Sequence, residues 1–545
     1  MGITGSEILA RALERQGVEV AFYLMGGPML AAESACIAEG IRMIDVRHEQ
    51  AAAMMANAYS RVLNRPSVCI AASGPGTTNL ATGVANAFVD GAPVVAIGGS
   101  SPVSQLGKGA FQEVDQVGMM RPIVRWAERV YDPRRIPELV ATAFCQAYGG
   151  RPGPVYLDLP GDVLYRQVDE AEVAWTEPFD ARRRALPAGD PDLVRRATDL
   201  LAGAERPVLI SGSGILWSDA AEELRALVDQ AGIPFYTTPQ GRGVIPEDHA
   251  LCFLSARATA FREADVILVV GTRLNYVVGY AQAPRFAADA KLIQVDIDPA
   301  EIGRNRPADI GIVGDARMVL RQLVEAAGGR VDAKRYTEWL AHLAAVDRGK
   351  RAAQETAMRS DAIPIHPLRL CKEVRDFLDR DAILVVDGQE ILNYGRQAIP
   401  THTARHRLNS GPFGTMGVGL PYGLGAKAAK PDTQVLVLHG DGSFGLNAME
   451  LDTAVRHHLP VITVISLNGG WTADPDRNKP GRELGYTRFD RMAEALGCHG
   501  EFVETPDGIR PALERAADAG VPAVVNVVTD WRARATTVQF ADYST

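Results

Sequence analysis

The strongest restriction on how this chain can fold is an alternation that runs almost its whole length. Short, unbroken apolar runs are separated by amphipathic stretches of roughly 10–15 residues. The runs are Ile41–Val46, Ser67–Ala71, Val94–Ile97, Val155–Leu157, Val208–Ile210, Val266–Val270, Leu292–Val295, Ile383–Val386, Val435–Leu438, Val461–Ile465 and Ala523–Val527. They are rich in β-branched residues and continuous rather than alternating, as parallel strands covered on both faces must be. Parallel strands need long crossovers, and the helical stretches supply them. The class is therefore α/β, with doubly wound parallel sheets.

At 545 residues the chain is too long for one core, and about three domains is the natural division. Polar, proline-bearing stretches near 170–192 and 345–365 read as linkers. They predict domains at 1–175, 190–345 and 362–545. A net charge of −9 argues against a nucleic-acid partner. No run reaches the ~20 apolar residues of a membrane span. The N-terminal MGITGSEILARALERQG begins an amphipathic helix and lacks the apolar core of a signal peptide. The six cysteines form no CxxC pair, as suits reduced thiols. These features predict a soluble cytoplasmic protein with no membrane partner.

The chemistry is concentrated in the last third. QVLVLHGDGS is a buried strand ending in Gly440-Asp441-Gly442-Ser443, followed by a helical pattern from Leu446 to about His458. A second strand, VITVIS, ends in Leu467-Asn468-Gly469-Gly470. In a parallel βαβ unit both strands end on the same side, where open α/β sheets bind ligands. Asp441 and Asn468 should therefore meet, with the Gly470 carbonyl beside them. These are hard oxygen donors of the kind Mg²⁺ takes, the rest of its octahedron coming from water and phosphate. A lone GDGS would read as an ordinary strand–turn–helix. The second strand ending in NGG makes the signal specific.

GDGS followed at this distance by Asn resembles the diphosphate-binding motif of thiamine-diphosphate enzymes, and the chain is similar to their decarboxylase and acetolactate-synthase-like superfamily throughout. RHEQAA at 47–52 resembles the family's activating-glutamate segment, SGPGTTN at 73–79 its early glycine turn, and GTMGVGLPYGLGA at 414–426 the segment before the diphosphate motif. The resemblance implies a pyrimidine-binding domain, a central Rossmann-like domain and a diphosphate-binding domain, with active sites at dimer interfaces and a homotetramer as the expected assembly. It implies thiamine diphosphate held by Gly440, Asp441, Gly442, Ser443, Asn468 and Gly470, with Mg²⁺ on Asp441, Asn468 and Gly470. Met416 matches the residue that props the cofactor in its bent form. Glu49 matches the glutamate that hydrogen-bonds the aminopyrimidine. Its helix N-terminus favours the ionised carboxylate and its burial the protonated one. Burial is expected to prevail.

GAFQEVDQ at 109–116, GRPGPVYLDLP at 150–160 and GTRLNYVVG at 271–279 resemble the acyl-CoA branch, which contains 2-hydroxyacyl-CoA lyase and oxalyl-CoA decarboxylase. Phe111-Gln112 stands where the decarboxylase carries Tyr-Glu, and is the pair typical of the lyases. The resemblance thus implies cleavage of a 2-hydroxyacyl-CoA to formyl-CoA and a ketone or aldehyde. Glu483 and Tyr486, in the polar loop after the metal segment, are candidates for proton transfer to the substrate hydroxyl. That unusual loop suggests small branched substrates such as 2-hydroxyisobutyryl-CoA. CoA needs cationic partners, and Arg405, Arg407, Arg532 and Arg534 form the best clusters, the last two on a tail that could order as a lid. The branch can hold ADP in its central domain, and Arg151, Arg273, Asp296, Ile297 and Asp315 match positions near that nucleotide. His457-His458 and His439 read as a helix end and a strand end. Oxalyl-CoA decarboxylase, an acetolactate-synthase-like condensing enzyme with a non-catalytic FAD, and a nucleotide-binding scaffold without catalysis are the alternatives.

Overall fold

In the computed structural model, which describes residues 2–179, 186–471 and 480–535, every run expected as a buried strand belongs to one of three parallel sheets. The first sheet has the spatial order Arg42–Asp45, Val20–Leu24, Ser67–Ala71, Val94–Ser100, Val155–Pro160, Ala127–Arg129. The second has the order Phe235–Thr237, Pro207–Ser211, Val266–Val270, Lys291–Asp296, Ile310–Val313. The third runs Arg407–Leu408, Ile383–Asp387, Val435–Gly440, Ile462–Leu467, Ala523–Val528, His499–Val503. Gly2–Thr4 and Gln167–Asp169 add a small antiparallel pair.

Five of the strands that the apolar pattern does not announce lie at sheet edges: Ala127–Arg129, Phe235–Thr237, Ile310–Val313, Arg407–Leu408 and His499–Val503. An edge strand is short and less completely covered, so it has no need of a continuous β-branched run. Val20–Leu24 is the exception, an interior strand whose VAFYL is aromatic and only five residues long.

In each sheet the chain first steps to one side of its opening strand and then crosses to the other. The crossing creates a switch point, where the loops at two adjacent strand ends part and leave a crevice. The three crevices lie between Val20–Leu24 and Ser67–Ala71, between Pro207–Ser211 and Val266–Val270, and between Ile383–Asp387 and Val435–Gly440.

The first and third sheets share one core, in which Phe22, Ile44, Val437 and Ile465 belong to the same buried cluster. Helix Glu49–Leu63 lies at its centre, buried along almost all its length. Small side chains let its neighbours approach. A Cβ on Gly425 of helix Gly419–Ala429 would fall 2.3 Å from the Met55 carbonyl oxygen, and one on Gly83 would fall 2.6 Å from the Ala53 Cβ. Overpacking of this kind costs about 1–3 kcal/mol or more.

Two local expectations are corrected. The stretch from 345 to 358 is not a linker but the second half of the 22-residue helix Thr337–Met358. Its Trp339 and Leu343 pack in the central core and its Met358 in the C-terminal one, so the charged residues between are the helix's wet face. The single helix expected from Leu446 to His458 is broken into Asp441–Asn447 and Glu450–Arg456. Among the described residues no helix is long and apolar enough to cross a membrane.

Candidate functional site

Strands Val435–Gly440 and Ile462–Leu467 pair with Gly440 opposite Ser466, so the segments that follow them leave the sheet side by side. The Gly469 N–H donates to Asp441 Oδ2 at 2.7 Å and the Gly442 N–H to Oδ1 at 2.8 Å. Asn468 Oδ1 accepts from the Gly470 N–H at 3.1 Å. Carboxylate and amide oxygens brought to one place are the donors a hard divalent ion takes. Close approach is secured by absent side chains. A Cβ on Gly442 would lie 2.6 Å from the Trp471 ring. Gly388, at φ 123°, faces the Gly440 nitrogen, which a Cβ would meet at 3.1 Å. The residues present therefore fit a phosphate-bound Mg²⁺.

Asp387, at the end of the neighbouring strand, was not expected here. It is buried and accepts the Gly419 N–H at 2.9 Å, and burial pushes its pKa up to about 6 against the pull of the Gly419, Gly388 and Gly417 N–H groups. His439 is more than a strand-end residue. Its Nδ1 lies 3.1 Å from Ser443 Oγ, which donates to the Gly440 carbonyl at 3.0 Å. Burial pushes its pKa down to about 3, so the imidazole under the motif is neutral.

In the first sheet Glu49 opens its helix and is only 8% exposed. Asn79 Nδ2 donates to its Oε2 at 2.9 Å. The backbone N–H groups of Arg47 and His48, just before it, each donate to Glu450 Oε1 at 3.1 Å. Gln50 Nε2 donates to Asn447 Oδ1 at 2.8 Å. The segment following Gly440-Asp441-Gly442-Ser443 thus grips the segment that carries Glu49. Burial pushes Glu450 up to about 7, opposed by Thr453 and those two N–H groups. His457 adds a second tie, its Nε2 lying 2.6 Å from Asp45 Oδ1, so it does more than end a helix. Phe111 is 85% exposed, and Gln112 stands at φ 57° with its Oε1 2.7 Å from Ser73 Oγ.

The central switch point opens into a cavity of about 1170 Å³. Arg151, Arg273, Asp296, Ile297 and Asp315 all line it. Arg151 pairs with Glu301 at 3.2 Å, and Arg273 donates to the Val89 carbonyl. Asp296 accepts the Asp298 N–H at 2.9 Å, and Asp315 accepts the Ser218 hydroxyl at 2.8 Å. Burial raises Asp296 to about 6. The same cavity reaches Gln389, Phe413 and Met416 of the third sheet's loops, and it collects Arg257, Arg285 and Arg396. Burial, with Arg285 and Arg396 close by, pushes Arg257 down to about 10. Among the described residues no carboxylate is paired with Arg257 or Arg285, which leaves a cationic lobe inside the cavity. Single arginines in otherwise ordinary helix and loop sequence carry no motif, so only the fold reveals this group.

The expected CoA cluster is changed accordingly. Arg407 lies in an edge strand and is 3% exposed, with Nη1 directed at the Ile399 carbonyl, so it is no surface contact for a nucleotide. Arg405 is held by the Leu216 carbonyl at 2.8 Å and by Asp219 at 2.9 Å. Arg532 stacks on Trp531, and Arg534 donates to the Trp531 carbonyl at 2.8 Å. The tail then reaches helix Glu390–Ala398, where the Ala535 N–H donates to Glu390 at 2.8 Å beside the cavity. The expected lid beyond Ala535 lies outside the described residues, as does the loop from 472 to 479. Glu483 forms an isolated bridge with Gly470, which brings it back to the Asn468–Gly470 segment, and both Glu483 and Tyr486 are exposed.

Comparison with known proteins gives three matches to family profiles. "Thiamine pyrophosphate enzyme, N-terminal TPP binding domain" matches residues 3–119, the central domain 194–323, and the C-terminal TPP binding domain 392–527. A "Probable acetolactate synthase" of Mycobacterium bovis is 37% identical over 539 residues, covering 96% of this chain and 95% of that one. A "2-hydroxyacyl-CoA lyase" of Arabidopsis thaliana is 34% identical over 549 residues, covering 97% and 96%. "2-hydroxyacyl-CoA lyase 1" of Homo sapiens is 32% identical over 553 residues, covering 97% and 95%.

Proposed function

From the premise that this chain belongs to the thiamine pyrophosphate enzyme family and is a thiamine-diphosphate-dependent enzyme, we propose that it cleaves a 2-hydroxyacyl-CoA to formyl-CoA and a ketone or aldehyde. The observation that carries the reading is the cationic lobe of Arg257 and Arg285 in the central cavity. A CoA thioester brings three phosphate groups that need such partners, because guanidinium groups bind phosphate through charge-assisted bonds.

Asp441, Asn468 and the Gly470 carbonyl would hold Mg²⁺ on the cofactor diphosphate, with Gly440, Gly442 and Ser443 around it. Met416, between Gly414 and Gly417 in the loop that borders the cavity, would support the bent cofactor. Glu49, nearly buried and braced by Asn79, would hydrogen-bond the aminopyrimidine. When bound, the cofactor supplies the electron sink for C1–C2 cleavage. Phe111 and Gln112 line the approach without adding charge. Glu483 or Tyr486 takes the proton of the substrate hydroxyl, and a small branched group, as in 2-hydroxyisobutyryl-CoA, suits the polar loop that carries them. The other end of the cavity would take ADP, with Asp296 and Asp315 toward ribose hydroxyls and Arg151 and Arg273 toward phosphate. The tail bearing Arg532 and Arg534 would close over the CoA. Exposed Met25, Phe111 and Val114 near the first sheet's switch point, and Leu446, Met449 and Leu484 near the third's, would be covered by a second copy, and pairs of dimers would make the tetramer.

Identity to acetolactate synthases favours a second reading, condensation of 2-oxo acids, with the cavity taking a flavin dinucleotide. Incubation with thiamine diphosphate, Mg²⁺ and a panel of 2-hydroxyacyl-CoAs, oxalyl-CoA and pyruvate separates them. A ketone or aldehyde released with formyl-CoA is expected. CO₂ with formyl-CoA, or acetolactate from pyruvate in a yellow preparation, overturns the proposal.

A further inference from the structure

We propose that Ser73 is a positioning residue whose hydroxyl holds the Gln112 carboxamide by its oxygen, so that the amide NH₂ is the group offered to the substrate oxygen on which charge builds. This rests on the reading that the 109–116 loop faces the substrate. Gln112 is one of the few non-glycine residues with positive φ, at 57°, a backbone conformation that costs energy and persists only where its surroundings enforce it.

Those surroundings are specific. A Cβ on Gly74, at φ 56°, would sit 2.5 Å from the Gln112 carbonyl oxygen and 2.8 Å from its Cβ, so the two backbones touch where only glycine fits. Ser73 is 4% exposed, and its Oγ lies 2.7 Å from Gln112 Oε1 against 3.2 Å from the Gly27 carbonyl. The shorter contact takes the single hydroxyl proton, and the Gly27 carbonyl has the Ser73 N–H as a donor besides. The Gln112 amide nitrogen has no hydrogen-bond partner among the described residues, although Gln112 is partly buried.

The turn is anchored from behind by the same loop. Gln116, 1% exposed, accepts the Gly74 N–H on Oε1 at 2.6 Å. Its Nε2 lies 2.9 Å from the Gly99 carbonyl, Tyr156 Oη and Asp158 Oδ1, its two hydrogens shared among them. Asp158, fully buried, is further fixed by Ser100 at 2.7 Å and Arg129 at 2.5 Å. Glu113 ties the front of the loop through the Gly109 and Ala110 N–H groups, both at 2.9 Å. Ser73 and Gln112 are thus held between two rigid attachments, and a donor fixed in advance stabilises developing negative charge without reorganising during the reaction.

The test is a double-mutant cycle on the holoenzyme, with kcat and KM measured alongside cofactor affinity by titration with thiamine diphosphate and Mg²⁺. Gln112→Ala is expected to lower kcat about 10²–10³-fold, as removal of an oxyanion donor does. Ser73→Ala should lower kcat about tenfold or more while KM and cofactor affinity move less than about threefold, and the double variant should be no slower than Gln112→Ala alone. Full kcat in Ser73→Ala, losses that multiply in the double variant, or cofactor affinity lost together with kcat each overturn the proposal. An unaffected Gln112→Ala overturns the reading of the loop as well. Should wild-type turnover be found with pyruvate instead of a CoA thioester, the CoA reading falls, and the same cycle on pyruvate still decides the role of Ser73.

Discussion

The first and third sheets have the same strand order and share a core, yet their switch points carry opposite chemistry. In the third, Asp441 accepts the N–H that follows Asn468, with Asp387 on the adjoining strand, an oxygen-rich end that the proposed function gives to a cation and phosphate. The first offers instead a buried glutamate braced by an amide, and a glycine turn held against Gln112. The central sheet repeats the crevice a third time and lines it with arginines. Equivalent topology therefore decides where a ligand is held, and the side chains at the strand ends decide which part of which ligand it is.

The largest test of this division is Asp441→Ala. Turnover should vanish and no longer respond to added Mg²⁺, whereas in the wild type chelation should abolish activity and Mg²⁺ restore it; a variant that keeps Mg²⁺-dependent turnover breaks the assignment of the third crevice. Glu49→Gln, at the first crevice, should lower kcat by ~10²–10⁴ and leave the Mg²⁺ dependence in place. Turnover near the wild-type level would leave that crevice without its chemistry. Arg257→Ala probes the central one. KM for the acyl-CoA should rise about 10–100-fold, the loss of one charge-assisted contact, with kcat little changed; an unchanged KM places the phosphates elsewhere.

The smallest effect sharpens the contrast between Glu450 and Glu33. Glu450 is gripped by two backbone N–H groups, whereas Glu33 is 5% exposed with no hydrogen-bond partner for Oε1 among the described residues, and burial raises its pKa to about 7. A carboxyl raised in the folded state holds its proton between the ordinary value of 4.5 and about 7 while the unfolded chain has released it. Stability from this group is intact below that window and falls as pH rises through it. Glu33→Gln should therefore match the wild-type Tm near pH 5 and exceed it by about 1–3 °C near pH 8. An equal difference at both pH values would show that Glu33 does not titrate in this window.

Much of this was legible in the residues. The strand runs were readable because interior parallel strands are covered on both faces and must be apolar throughout. That the segments at Asp441 and Asn468 leave the sheet side by side was readable because a βαβ crossover has one hand and ends both strands on one side. The edge strands were not, since a strand with one free side can be short and mixed, as His499–Val503 is. Nor was helix Thr337–Met358, whose charged half looks like a linker until its apolar residues are seen to pack in two different cores.

The sequence by itself determined the α/β class and the side chains available at each strand end, because backbone periodicity and residue chemistry are local properties. Only the tertiary structure decided that Arg407 is buried while Arg257, Arg285 and Arg396 face one cavity, and that Ser73 meets Gln112. Those juxtapositions join residues far apart in the chain, and only packing of the sheets and their loops brings them together.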